Sequence, residues 1–378
     1  MKQILFLFFI LLTFNLSAQK KSSKFSDDNV SKDIDVVFCL DFSASTNGLL
    51  IDLKECYWNL INHSFSLKPA ANLRLSLVGF GRPSFSSKNN YVKIIGRLTS
   101  NYDSLYEAID KLGINVEKGD QYVGAALMTC LRETEWSKKK GATKMIILMG
   151  NGTVNLGPSN LDDACELAAE KGIIIHTAYC ANSVVEKEIK GWENIARLTN
   201  GISSLVVINK QEPNYVVQTL SELWTLNKSY NKTIITYGDS GTLKYKYFNK
   251  IDSLSAFGES QCLHYRMLYK VFCPEERIKD WDLIAYSLTD GFSLYNIDRN
   301  TLPLEFASTV GPDMLNIIND KQQERTKISN EIKTIMEPLK SEIENNRLIK
   351  EDISDEGFFN RIVIKSFMKT ALSSGFYF

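Results

Sequence analysis

Apolar positions in the first half of the chain alternate between two periods. Ile34 to Leu40 is an apolar run broken only by Asp35, which fits a strand buried on both faces. Leu49, Leu50, Ile51, Leu53, Cys56, Tyr57, Leu60 and Ile61 then recur at helical spacing, predicting a helix over roughly 47 to 65. The same exchange repeats. Strands are expected at 73–78, 91–96, 145–149, 172–178 and 204–208, and helices at 101–112, from 125, at 161–170 and at 185–198. This order predicts an α/β fold, a doubly wound and mostly parallel sheet covered by helices on both faces. Tight turns after Leu40, Ile95 and Met149 would gather loops at one edge of that sheet.

From Lys210 the character changes. Tyr215 to Leu226 reads as a helix. Thr233–Tyr237 and Leu243–Phe248 alternate around Gly238-Asp239-Ser240-Gly241, which predicts a β-hairpin. Further β-like runs cover 263–272, 281–288 and 292–297. Ile328, Ile332, Ile335, Met336, Leu339 and Ile343 form a helical stripe within 313–349, which Pro338 should kink or split. A last helix spans 361–372. Residues 210–378 therefore read as a smaller α+β region with C-terminal helices, and we recognise no family in them.

The amino terminus stands apart. Lys2, the apolar run Ile4–Leu12 and Leu16-Ser17-Ala18 have the layout of a secretory signal peptide over residues 1–18. Residues 19–32 are a polar, flexible lead-in. The mature protein is expected outside the cytoplasm, periplasmic or secreted, with no integral membrane segment. With 44 basic and 44 acidic residues there is no basic footprint for nucleic acid. Of the seven cysteines, Cys39, Cys130 and Cys165 fall in expected core elements, whereas Cys262 and Cys273 are placed where they could bridge.

The candidate chemistry lies where the first strand ends. Asp41, Ser43 and Ser45 put a carboxylate and two hydroxyls at alternate positions beyond the carboxyl end of a strand, where α/β folds bind ligands. These are hard oxygen donors of the kind Mg²⁺ or Mn²⁺ prefers. The same residues also suit a turn that caps the next helix. Other signals are weaker. Gly238-Asp239-Ser240-Gly241 is similar to a serine protease nucleophile loop, but the hairpin reading accounts for it. His63, His176 and His264 form no pair at zinc-ligand spacing, and no phosphate-binding loop is present.

Taken in order, Asp41-x-Ser43-x-Ser45 after an apolar strand, Gly119-Asp120 ahead of Gly124-Ala125-Ala126-Leu127, and Ile146-Ile147-Leu148-Met149-Gly150-Asn151-Gly152 resemble a von Willebrand factor type A domain over about residues 33–209. The resemblance implies a metal-ion-dependent adhesion site. Ser43 and Ser45 would bind Mg²⁺ or Mn²⁺ directly, Asp41 would act mostly through water, and a partner protein's Asp or Glu would fill the open position. Two departures follow. The second loop lacks the family's Thr, leaving Asp120 as candidate ligand with Gln121 behind it. The third loop has Asn151 in place of Asp, which removes a charge and weakens affinity. The reading is an exported adhesion or scaffold protein and not an enzyme. One alternative is a docking module attached to a catalytic region in 210–378, which a pocket of Asp239, Glu275, Asp280 or Asp282 would mark. The other is a metal-free structural domain in an envelope assembly, with a closed loop cluster and Asn151 bonded to backbone.

Overall fold

The computed structural model describes residues 31–46, 49–113, 117–181, 185–207, 220–256, 262–273, 275–338, 341 and 356–378. The expected signal peptide, the lead-in up to residue 30, and Leu339 and Ile343 of the apolar stripe lie outside them.

The sheet is built outward from β1 (Lys32–Asp41), which is buried almost throughout because it is paired on both edges and covered on both faces. In chain order follow α1 (Leu49–Phe65), β2 (Ala71–Phe80), β3 (Val92–Thr99), α2 (Tyr102–Asp110), α3 (Val123–Glu133), β4 (Thr143–Gly150), α4 (Leu161–Glu170), β5 (Ile174–Ala181), α5 (Glu186–Leu198) and β6 (Ser203–Val207). The strands run in the order β3-β2-β1-β4-β5-β6-β7, where β7 is the short Glu356–Gly357. All neighbours are parallel except β2 and β3.

That exception corrects one expectation. The link from β2 to β3 stays at one edge of the sheet and has no crossover helix, so β3 returns antiparallel. Its end at Thr99 pairs with Leu75, far from the end of β1. The loop after β3 therefore lies at the opposite edge, and the segment 81–91 joins the functional edge instead.

Side-chain parity divides the core. Ile34, Val36, Phe38 and Leu40 face one layer with α1 and α2, while Val37 and Cys39 face α3, α4 and α5. The first layer is completed from the end of the chain. β7 pairs in parallel with β6, and α12 (Phe359–Ser373) lies against α1, β4 and β6. Phe359, Ile362, Val363, Ile364, Phe367, Met368 and Ala371 of α12 are buried, each stabilising by about 1.5–3 kcal/mol for the larger side chains. The sheet and its covering layer thus draw on residues from both sides of the boundary expected near 209.

Between β6 and β7 the described chain is helical: α6 (Leu220–Lys232), α7 (Gly241–Ser255), α8 (Cys262–Phe272), the short α9 (Leu283–Ser287) and α10 (Leu304–Ala307), and α11 (Gly311–Ile335). The expected hairpin and β-like runs are therefore corrected. Gly238 does turn the chain, at φ +75°, but the turn leads into α7. Phe248, Ile251, Asp252 and Ser255 are its buried face, a helical spacing that begins after the alternating Lys-Tyr stretch. α8 is buried at every position from Cys262 to Lys270, so it shows no amphipathic period, and only its length marks it as a helix. α9 is started by Asp282, whose side chain accepts from the Ile284 N–H at 3.1 Å. α11 ends at Ile335, ahead of Pro338, as the missing N–H of proline requires. Cys262 and Cys273 are not bridged. They stand at opposite ends of α8, so the helical rise puts them about 16 Å apart, well beyond disulfide reach. Among the described residues no helix is long and apolar enough to cross a membrane.

Candidate metal centre

Three loops meet at the carboxyl ends of β1 and β4. The first is fixed by its own backbone. Asp41 Oδ1 accepts from the Ser43 N–H at 2.8 Å, and the Thr46 hydroxyl donates to the Asp41 carbonyl at 2.7 Å and to the Ser43 carbonyl at 3.1 Å. The turn-forming role of Asp41 and the donor geometry therefore coexist. One carboxylate oxygen shapes the turn, and the other, Oδ2, is left for the site.

The second loop is brought in by glycine. A Cβ on Gly119 would lie 2.5 Å from the Gly81 carbonyl oxygen, so only glycine lets this segment approach the end of β2. The Ala44 N–H donates to the Glu117 carbonyl at 2.7 Å and ties the first and second loops together. The third loop follows β4. Gly150 packs against Asp41, and a Cβ there would stand 2.7 Å from the Asp41 Cβ. The Trp192 indole N–H donates to the Gly152 carbonyl at 3.0 Å and pins the loop from α5.

These loops bring Asp41, Ser43, Ser45 and Asn151 together. The Ser43 and Ser45 hydroxyls are 2.9 Å apart, and the Ser45 hydroxyl donates to Asn151 Oδ1 at 2.9 Å. Asp120, the expected ligand of the second loop, is not brought into this cluster. It is exposed and accepts from the Tyr122 hydroxyl at 3.2 Å. Gln121 takes its place. The Gln121 Nε2 lies 2.6 Å from Asp41 Oδ2, 2.9 Å from Ser43 Oγ, 3.0 Å from Ser45 Oγ and 3.0 Å from Asn151 Oδ1. The loop has extended parity: Glu117, Gly119 and Gln121 turn inward while Lys118 and Asp120 are exposed. Once Gly119 is recognised as the close-approach residue, that parity selects Gln121 from sequence alone.

The electrostatics are those of a single buried charge. Asp41 is fully buried, and burial pushes its carboxyl up to about 6. Hydrogen bonds from Ser43, the Asn151 backbone and Gln121 hold it below the value burial alone would give. Asn151 Nδ2 donates to the Cys180 carbonyl at 3.0 Å and to the Ser45 carbonyl at 3.4 Å, so its Oδ1 faces the cluster. Four hard oxygens therefore converge on one point with one formal negative charge among them. The chemistry of that donor set fits a divalent cation, with less charge than two carboxylates would supply. Asp282, foreseen as part of a catalytic pocket, is instead buried against Arg325 at 2.6 Å. Among the described residues no group of three or more His, Cys, Asp or Glu is arranged to hold a metal, so the donors here are mostly neutral oxygens.

The family profile of the von Willebrand factor type A domain matches residues 35–223. No curated protein matches the chain. Among solved structures, an aerotolerance-related membrane protein from Bacteroides fragilis is similar at 16% identity and a TM-score of 0.33, over 46% of this chain and 90% of that one. Proximal thread matrix protein 1 from the mussel byssus, in a form whose adhesion-site motif is occupied by zinc, aligns at 18% identity and a TM-score of 0.34, over 47% and 42%. The pilus adhesin SpaC from Lactobacillus rhamnosus GG aligns at 15% identity and a TM-score of 0.34, over 46% and 28%.

Proposed function

The chain belongs to the von Willebrand factor type A domain family, and we propose that it is an exported member that grips a partner protein through a divalent cation. The supporting observation is the convergence of Asp41 Oδ2, Ser43 Oγ, Ser45 Oγ and Asn151 Oδ1 within 3.0 Å of a single point. Those four residues would hold Mg²⁺ or Mn²⁺. Bound there, the cation supplies an open coordination position that an exposed Asp or Glu of the partner fills. The chain's own part is to orient the oxygens. Asp41 is locked by the Ser43 N–H, and Asn151 is turned inward by the Cys180 carbonyl. Export rests on residues 1–18. An interaction role, not catalysis, fits a site that among the described residues holds no base or nucleophile beside the donors.

A second reading has its own support. Asn151 bonded to backbone within a closed cluster is the arrangement expected of a metal-free structural domain in an envelope assembly. Calorimetric titration of chelator-treated protein with Mg²⁺ and Mn²⁺ separates the two. The expected result is saturable one-site binding, weakened about 100-fold in a Ser43→Ala, Ser45→Ala variant, in line with the loss of donors around a metal. Silence in the wild type, with its circular dichroism intact, would leave the metal-free reading standing.

A further inference from the structure

We propose that the Gln121 side-chain amide is a built-in stand-in for the cation: it closes the site from within and must leave before a cation enters. This rests on the cation reading of the same site and adds what regulates it. The Nε2 of Gln121 occupies the point on which the four oxygens converge, at 2.6–3.0 Å. A dication and an amide nitrogen cannot share that point.

Proton accounting explains why the amide is stable there. Gln121 Nε2 has two protons, and each serine hydroxyl has one. Gln121 donates to Asp41 Oδ2 and Ser43 Oγ, Ser43 to Ser45 Oγ, and Ser45 to Asn151 Oδ1, so every oxygen has a proton facing it. Turning the amide over would set a fifth oxygen 2.6 Å from a buried carboxylate, which is strongly unfavourable. The Oε1 has its own berth over Gly152, where a Cβ would stand 2.4 Å away. Gly152 also needs its positive φ of +76°, which favours glycine there.

The stand-in sets the affinity. Cation entry costs the two hydrogen bonds that Gln121 donates, one of them to a carboxylate, so removing the side chain should tighten cation binding by about 30-fold or more. The test is calorimetric titration of wild type, Gln121→Ala and Gln121→Thr with Mg²⁺, alongside melting curves in chelator. The expected result is tighter binding in both variants. Without cation, Gln121→Ala should melt lower than wild type, and Mg²⁺ should raise its melting temperature more. Binding in Gln121→Ala with a silent wild type would support the inference still more directly. Equal or weaker binding in Gln121→Ala beside a binding wild type would overturn it, making Gln121 a spectator or a ligand, while the cation reading survives. Silence in all three folded proteins would sink the cation reading and this inference with it.

Discussion

Replacing Asp252 by alanine is expected to destabilise the protein by about 3–5 kcal/mol and lower its melting temperature on the order of 10 °C, because it strands buried Lys270 and leaves buried Arg266 with Asp103 as its remaining carboxylate. Asp252 Oδ1 accepts from Arg266 Nε at 2.9 Å, and its Oδ2 accepts from Lys270 Nζ and from Asn231 Nδ2, both at 2.8 Å. Arg266 and Lys270 have fully buried side chains. Burial alone would raise the Asp252 carboxyl, yet Lys270 and Arg266 together hold it below its ordinary value, so it is the ion that bridges the two cations. Arg266 also reaches Asp103 of α2 at 2.6 Å, and its guanidinium lies 4.4 Å from the Trp58 ring of α1 and 4.6 Å from the Phe248 ring. The network thus fastens α7 and α8 to the layer beneath the sheet. An Asp252→Leu, Lys270→Met double variant should be less destabilised than Asp252→Ala, since it removes a charge of each sign. Urea unfolding within about 1 kcal/mol of wild type for Asp252→Ala would refute the account, being the range of an exposed pair.

This network also shows what the sequence could and could not disclose. In residues 33–207 most strands and helices carry their own period, because each is covered from one or two defined sides, although α1 is buried without a break from Cys56 to Ser64. The parity of β1 is legible as soon as its apolar run is seen. α8 is not, for its polar members Arg266 and Lys270 are as buried as Met267 and Leu268. A helix enclosed on all sides, with its charges satisfied by Asp252 and Asp103 from other segments, presents no face to read. α7 misled differently. Lys244-Tyr245-Lys246-Tyr247 alternates like a strand, whereas Tyr247 reaches Glu107 at 2.8 Å and Tyr245 the Asn231 carbonyl at 3.1 Å. Their tips follow polar partners, and the apolar face that defines the helix starts only at Phe248.

The site is legible to the same uneven degree. Asp41, Ser43, Ser45 and Asn151 adjoin strand ends that the pattern locates, so their meeting follows from topology. Between Asp120 and Gln121 the charge favoured Asp120, but backbone parity places residues, and the approach of Gly119 to Gly81 sets that parity. What no local signal carries is the return of the chain at residues 356–373. The pairing of β7 with β6 and of α12 with the sheet depends on apolar positions in α12 that would suit any helix face.

The return of α12 leads to the second large effect, a loss of stability in acid. His176 on β5 accepts the Ile202 N–H at Nδ1, at 3.1 Å, and its Nε2 donates to the Thr370 hydroxyl of α12 at 2.7 Å, an arrangement that only the neutral ring can make. His63 in α1 is buried with Nδ1 3.0 Å from the Asn59 carbonyl. Burial lowers both to about 4 from 6.5, assisted at His176 by Lys369. Between those values the unfolded chain takes up protons that the folded protein refuses. The stability each ring contributes is complete above pH 6.5 and is lost as pH falls toward 4, to a limit of about 3 kcal/mol each. Asp41 works in the opposite direction. Raised to about 6 from 3.8, it favours folding at low pH and loses that contribution as pH rises through 6. From pH 7 to 5 the two histidines should cost about 4 kcal/mol, Asp41 should return about 1 kcal/mol, and urea unfolding should record a net loss near 3 kcal/mol. His176→Gln should shrink that loss to below about 1 kcal/mol, whereas Asp41→Asn should deepen it to about 4 kcal/mol. Equal pH dependence in all three proteins would disprove the assignment. Saturating Mg²⁺ should act on the wild type as Asp41→Asn does, because a cation beside Asp41 holds its carboxyl ionised at pH 5 and removes the contribution with which Asp41 opposes the histidines.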